Sequence, residues 1–144
     1  MSFEPTVPPA VNGRPGGPHP RTVLLAEDDD AVREFVRAVL EQAGYAVVAA
    51  ADGRAAGDLF AAAPDRFDLV LTDVVMPHAV GPELASRARR LRPGVPVLFM
   101  SAFAGGIAGA PEPLPAGEML LEKPFSVNAL LRAVSDVLGR GRAH

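Results

Sequence analysis

The sequence contains no cysteine. Disulfide frameworks, cysteine metal sites and thiol nucleophiles are therefore excluded. There is no excess of positive charge, because the formal net charge is -3. A phosphate-backbone binder has no electrostatic support, and no nucleic-acid partner is expected. No apolar run reaches the roughly 18 residues that a membrane span requires. The N-terminus lacks the basic-then-apolar order of a secretory signal, so a cytoplasmic address is expected and a membrane partner is not. Lysine is almost absent as well. Of 14 basic residues only Lys123 is a lysine, and the rest are arginine. A chain so biased towards arginine and alanine retains a lysine either by accident or where arginine cannot serve.

What is present is an ordinary globular balance, with 49% hydrophobic and 22% charged residues in 144. That length suits one domain. Residues 1–20 carry Pro5, Pro8, Pro9, Pro15, Pro18 and Pro20 with Gly13, Gly16 and Gly17. This composition breaks helices and shows no apolar period, and it predicts a disordered tail. The domain is expected over 21–140, with a short tail at 141–144. Val23 to Ala26 is an apolar run that stops at acids and reads as a buried strand. Asp29 or Asp30 then caps a helix carrying Val32, Phe35, Val36, Val39 and Leu40, and Gly44 stops it. Tyr45 to Ala50 predicts a second strand, and Asp52-Gly53 opens a helix ending before Pro64. Phe67 to Thr72 predicts a third strand, with Asp73 behind it. Pro82 suits the first turn of a third helix reaching about Leu91. Val95 to Met100 predicts a fourth strand. Gly and Pro crowd 103–118, where at most a short or irregular fourth helix fits, near Phe103 to Ala110. Met119 to Leu121 predicts a fifth strand, and Val127, Leu130, Leu131, Val134, Val137 and Leu138 form a last amphipathic helix. Strand and helix alternating five times implies an α/β fold, a doubly wound parallel sheet with helices on both faces.

In such sheets ligands bind beyond the carboxyl ends of the strands, where strand order reverses. The residues at those ends are Glu27 and Asp28, Asp73, Ser101 and Lys123. A single acid after a strand is usually a helix cap, a lone Lys-Pro is usually a solvated turn, and a lone serine says little. Four of the five strand ends bearing complementary chemistry are another matter. With strands one and three adjacent, three carboxylates converge, which is unfavourable unless a cation joins them. Magnesium suits oxygen ligands and one or two carboxylates beside a phosphate oxygen. A carboxylate beside a divalent ion can attack a phosphoryl group and become an acyl phosphate. A lysine and a hydroxyl can then hold the phosphoryl oxygens.

The same residues resemble the receiver domain of bacterial two-component response regulators, the CheY-like family. The likeness runs over about 21–139. It is carried by Val23-Leu-Leu-Ala-Glu-Asp-Asp-Asp, by Asp68-Leu-Val-Leu-Thr-Asp-Val-Val-Met-Pro running on to Gly81, by Val97-Leu-Phe-Met-Ser-Ala, and by Glu122-Lys-Pro-Phe. It implies a flavodoxin-like five-stranded sheet of order 2-1-3-4-5. It implies that Asp73 is the phosphoacceptor, with Glu27, Asp28, Asp73 and the backbone carbonyl of Val75 around Mg2+, Asp28 directly and Glu27 mainly through water. Ser101 would bond the phosphoryl group, Lys123 would pair with it, and the Lys123-Pro124 bond would often be cis. The implied partners are a histidine kinase or histidine phosphotransfer protein and a downstream protein that the sequence does not name. The implied state is a monomer or weak dimer. Such a chain is not an enzyme acting on a separate substrate; it promotes only its own aspartyl phosphorylation and dephosphorylation.

Three departures accompany the likeness. The family's switch position, usually aromatic, is Leu120. The fourth helix is replaced by the Gly/Pro-rich stretch. No effector domain is expected after Leu138, so the chain would act as a stand-alone relay, phosphate sink or protein-binding switch. The alternative is a receiver-fold interaction module that is no longer phosphorylated. A metal-dependent phosphohydrolase is disfavoured, because the position two beyond Asp73 is the apolar Val75 rather than an acid. Val75 and Phe103, both apolar, also imply slow loss of the phosphoryl group.

Lys123 is thus expected where a compact, flexible cation reaches into a tight pocket and a wide planar guanidinium does not fit. Lys123→Arg is predicted to keep the fold and magnesium binding but to lose the conformational response to phosphorylation. Amide NMR spectra with and without a small phosphodonor check this; a wild-type shift pattern in the variant contradicts it.

Overall fold

The structure is a computed structural model that describes residues 20–74, 81–101 and 118–142. The tail expected at 1–20, all but one residue of the 103–118 stretch with its fourth helix, and Val75 lie outside the described residues, Pro20 and Glu118 excepted. The elements follow in the order β1 (Thr22–Ala26), α1 (Asp30–Gln42), β2 (Ala46–Ala50), α2 (Gly53–Ala62), a 3-10 turn (Pro64–Arg66), β3 (Leu69–Asp73), α3 (Gly81–Leu91), β4 (Val97–Ser101), β5 (Met119–Glu122) and α4 (Val127–Arg142). The five strands form one sheet of order β2-β1-β3-β4-β5, and every pair is parallel. This is the flavodoxin-like arrangement expected.

Alternation along each strand divides the apolar residues between two cores. Val23, Leu25, Leu69, Leu71, Leu98 and Met100 face a layer containing Val36 and Leu40 of α1 and Leu130 and Val134 of α4. Leu24, Ala26, Val70, Val97 and Phe99 face the opposite layer, with Ala56 and Phe60 of α2 and Leu84, Ala85 and Ala88 of α3. Burial on both faces explains why the strands read as continuous apolar runs instead of alternating ones.

The helix ends are set locally. The Asp29 carboxylate accepts from the N–H groups of Ala31 and Val32 at 2.9 and 3.1 Å. Asp52 accepts from Ala55 N–H at 2.7 Å, and Ser126 Oγ accepts from Ala129 N–H at 3.0 Å. Each satisfies a donor that the first helical turn leaves orphaned. Gly44, at φ 102°, takes the left-handed conformation that lets Tyr45 N–H return to the Leu40 carbonyl at 3.0 Å. At the sheet edge, Arg89 of α3 grips Glu118 through two hydrogen bonds of 2.8 and 2.9 Å. This fork anchors the entry to β5.

Several boundaries differ from expectation. β3 and β4 start two residues later than the apolar runs, at Leu69 and Val97, and β2 starts at Ala46. Phe67 is buried without being a strand residue; Asp68, just ahead of β3, exchanges two bonds with Thr22, its carboxylate accepting from Thr22 N–H at 2.7 Å and its N–H donating to the Thr22 carbonyl at 2.8 Å. At the other end, Asp73 and Ser101 are the last residues of their strands, in register with Met100 and Glu122. Polarity does not end a strand whose backbone still has a neighbour to pair with. α4 continues to Arg142, past the expected boundary at 140.

One glycine ties the fold to the strand ends. Gly81 opens α3, and its N–H donates to the Val74 carbonyl at 2.7 Å. A Cβ on Gly81 would collide with the carbonyl oxygen of Asp73. Gly81→Ala is predicted to lower stability by about 2–4 kcal/mol, whereas Gly94→Ala, where an added Cβ meets open space, changes it by less than about 0.5 kcal/mol. Urea unfolding of both variants checks the contrast, and equal midpoints contradict it.

Candidate functional site at the strand ends

Because the strands are parallel and in register, their carboxyl ends share one edge of the sheet. Glu27 follows β1 directly, and its N–H continues the ladder to the Ala50 carbonyl at 3.1 Å. Asp28 comes next. Asp73 ends the neighbouring β3, Ser101 ends β4, and Lys123 follows β5. Among the described residues, Glu27, Asp28 and Asp73 have carboxylate oxygens within 4.8 Å of one another. Glu27 is fully buried and Asp73 is 4% exposed, while Asp28 is open to solvent.

Lys123 begins at the sheet edge, where its N–H donates to the Ser101 carbonyl at 2.9 Å. Its side chain crosses towards the sheet centre. Nζ stands 2.6 Å from Asp73 Oδ1 and 2.8 Å from Glu27 Oε1. Strand spacings of about 4.8 Å set that reach, which a shorter side chain cannot make. The Lys123–Pro124 peptide bond is cis. The other oxygen of Glu27, Oε2, accepts from Asp29 N–H at 2.9 Å. Both oxygens of Glu27 therefore have protein partners, and the Asp28 carboxylate has none among the described residues.

These partners separate the two buried acids. Burial is the largest influence on Asp73; with the Glu27 carboxylate beside it, burial outweighs Lys123 and pushes the acid up to about 8. Burial also acts to raise Glu27, but bonds from Asp73, Lys123 and Asp29 N–H overcome it and hold Glu27 below its ordinary value. Burial acts to lower Lys123, and the two carboxylates reverse this, raising the ammonium above its ordinary value. At neutral pH and without a metal ion, Asp73 thus tends to keep a proton, and Glu27 and Lys123 are ionised.

Of the residues expected at the site, Glu27, Asp28, Asp73 and Lys123 are brought together. Ser101 ends the strand between those of Asp73 and Lys123. Val75 lies outside the described residues. Leu120 lies in β5, three residues before Lys123, and is 39% exposed. Sequence reasoning missed two features. Asp29 is more than a cap, because its N–H holds the Glu27 carboxylate. Arg33 donates from Nη1 to the Glu27 carbonyl at 2.9 Å, which no spacing rule foretells, because backbone acceptors leave no mark in a sequence.

An α/β sheet of this order with an acid pair, an acid, a hydroxyl and a lysine at successive strand ends defines the receiver class of signalling domain. The response regulator receiver domain model matches residues 23–135, and the chain belongs to that family. It is 36% identical over 118 residues to the response regulator receiver protein CpdR of Brucella abortus (strain 2308), covering 82% of this chain and 97% of that protein. It is 37% identical over 117 residues to the sensor kinase CckA of the same organism, which covers 81% of this chain but only 12% of the kinase. A response regulator receiver protein from Sinorhizobium medicae WSM419 superposes with a TM-score of 0.72 at 28% identity, over 85% of this chain and 98% of that one. The family binds Mg2+ at its acidic pocket, and its members are signalling proteins of two-component systems.

The raised Asp73 makes stability pH-dependent. An unfolded chain loses this proton near 4, whereas the folded protein keeps it until about 8. Stability from this group is therefore greatest below about 4, falls as pH rises to about 8, and is level above. In EDTA, Asp73→Asn is predicted to be more stable than the wild type at pH 8, by on the order of 2 kcal/mol, with the gap closing towards pH 5. Urea unfolding at both pH values measures this, and a gap that widens on acidification contradicts it.

Proposed function

We propose that this domain is a phosphoacceptor switch in a two-component phosphorelay, phosphorylated on Asp73 with Mg2+. One observation carries the reading: three carboxylates face a single ammonium, that of Lys123. With all three acids ionised the surplus is two negative charges, and the donor set is all oxygen, which fits a hard divalent cation. Asp28, solvent-facing and without a partner among the described residues, would be the direct ligand, and Asp73 the second. Glu27, held on both oxygens, would act through water, and the family likeness implies that the backbone carbonyl of Val75 would join them. Held by these residues, magnesium would supply the positive charge that offsets the transferring phosphoryl oxygens.

The residues of the chain do the remainder. Asp73 gives up to solvent the proton that burial and Glu27 favour. One of its carboxylate oxygens then forms a bond to phosphorus as the bond from phosphorus to the donor's imidazole nitrogen breaks, the imidazole takes up a proton from solvent and leaves neutral, and an acyl phosphate results. The donor is a histidine kinase or a histidine phosphotransfer protein; the likeness to CpdR and to a portion of the sensor kinase CckA supports such a partner. Ser101 donates its hydroxyl to one phosphoryl oxygen. Lys123, already beside Asp73, pairs with another. The domain spans 21–140, acts as a relay, sink or protein-binding switch from the cytoplasm as a monomer or weak dimer, and catalyses no turnover of a separate substrate. Likeness over 97% of CpdR supports the single-domain reading. Among the described residues no helix is long and apolar enough to cross a membrane.

Incubating the protein with Mg2+ and acetyl phosphate is predicted to add one phosphoryl group by intact mass, lost in Asp73→Asn and absent in EDTA. No gain in the wild type, with no magnesium binding, favours the non-phosphorylated interaction module instead.

A further inference from the structure

Asp28 has no hydrogen bond of its own side chain among the described residues, so its aim at the acidic cluster is set by the backbone that carries it. The peptide joining Glu27 to Asp28 is planar. Fixing the Glu27 carbonyl therefore fixes the plane from which Asp28 departs. Arg33, one turn into α1, holds that carbonyl through Nη1 at 2.9 Å, and its Nη2 pairs with Asp30 at 2.5 Å. The side chain is 18% exposed, although its ion-pair partner is open to solvent. Its own N–H donates to the Asp29 carbonyl at 2.8 Å. A rigid planar fork thus spans the turn that carries the acids, touching it on both sides of Asp28.

We propose that Arg33 is a positioning residue for divalent-cation binding, acting through the Glu27 carbonyl to orient Asp28. The inference rests on the acidic cluster being a Mg2+ site. Its sign separates it from a bland role. A guanidinium near a cation site repels the cation, so if Arg33 contributed only charge, removing it would tighten binding. As a positioning residue, its removal loosens binding, and salt does not abolish the loss.

The test is Mg2+ titration of amide NMR shifts for the full chain, with thermal unfolding as the measure of fold. Arg33→Met is expected to weaken Mg2+ binding about tenfold, the scale on which partners of metal ligands act. The loss should persist in about 0.5 M KCl, where surface charge is screened. Arg37, 40% exposed and paired with Glu34 at 2.6 Å on the same helix, is the control, and Arg37→Met should not weaken binding. Unchanged or tighter binding in Arg33→Met overturns the proposal, as does equal weakening in Arg37→Met. If Arg33→Met does not fold, Arg33→Lys decides. Weaker binding with a wild-type melting point supports the proposal, and wild-type affinity overturns it. No binding by the wild type removes the cation-site reading and this inference together, whereas normal wild-type binding with an unweakened Arg33→Met removes this inference alone.

Discussion

The ammonium of Lys123 lies between Asp73 and Glu27, and the strand-end cluster depends on that placement. Two acids buried side by side would otherwise repel each other at a distance where little water screens them. Lys123 stabilises the negative form of both, but it supplies one positive charge where the cluster, with Asp28, would carry three negative ones if fully ionised. The shortfall shows in the buried pair itself. Glu27 receives the better set of donors and stays ionised, while Asp73 tends to keep its proton. The residue read as the nucleophile is therefore the one whose charged form the bare protein supports least. A divalent cation or a phosphoryl group changes that balance directly, which is the physical basis for a switch.

The scaffold makes this possible by register more than by any single contact. β1 and β3 are neighbours, so the acids that follow one meet the acid that ends the other. β4 and β5 lie further out, and the Lys123 side chain reaches back across them. Gly81 lets α3 begin against the Asp73 carbonyl, and Arg33 holds the β1–α1 turn from the opposite layer. The two cores fix the sheet from both faces, so the strand ends have little freedom to relieve their mutual repulsion by moving apart.

Much of this was legible in the sequence. The central strands could be located by their apolar runs, because burial on both faces leaves few polar residues to interrupt them. Asp29, Asp52 and Gly44 announced helix ends, since capping is local chemistry between residues a few positions apart. The errors lie at boundaries. Asp68 and Asp73 look alike as acids beside apolar runs, yet the Asp68 carboxylate caps the first N–H of β1 just ahead of β3, whereas Asp73 ends β3 among the clustered acids. Only the neighbouring strand's backbone distinguishes them.

The sequence by itself determined the order of elements, the five strand-end residues and the presence of a single lysine where arginine was otherwise universal. Those are local properties: periodicity, capping and composition. The tertiary structure decided which buried acid keeps its proton, that both Glu27 oxygens are occupied while Asp28 is left open, and that Arg33 grips a backbone carbonyl. These depend on burial and on distances between residues far apart in the chain, such as the 2.8 Å that joins Lys123 to Glu27. A linear pattern carries no information about such distances until the sheet has set them.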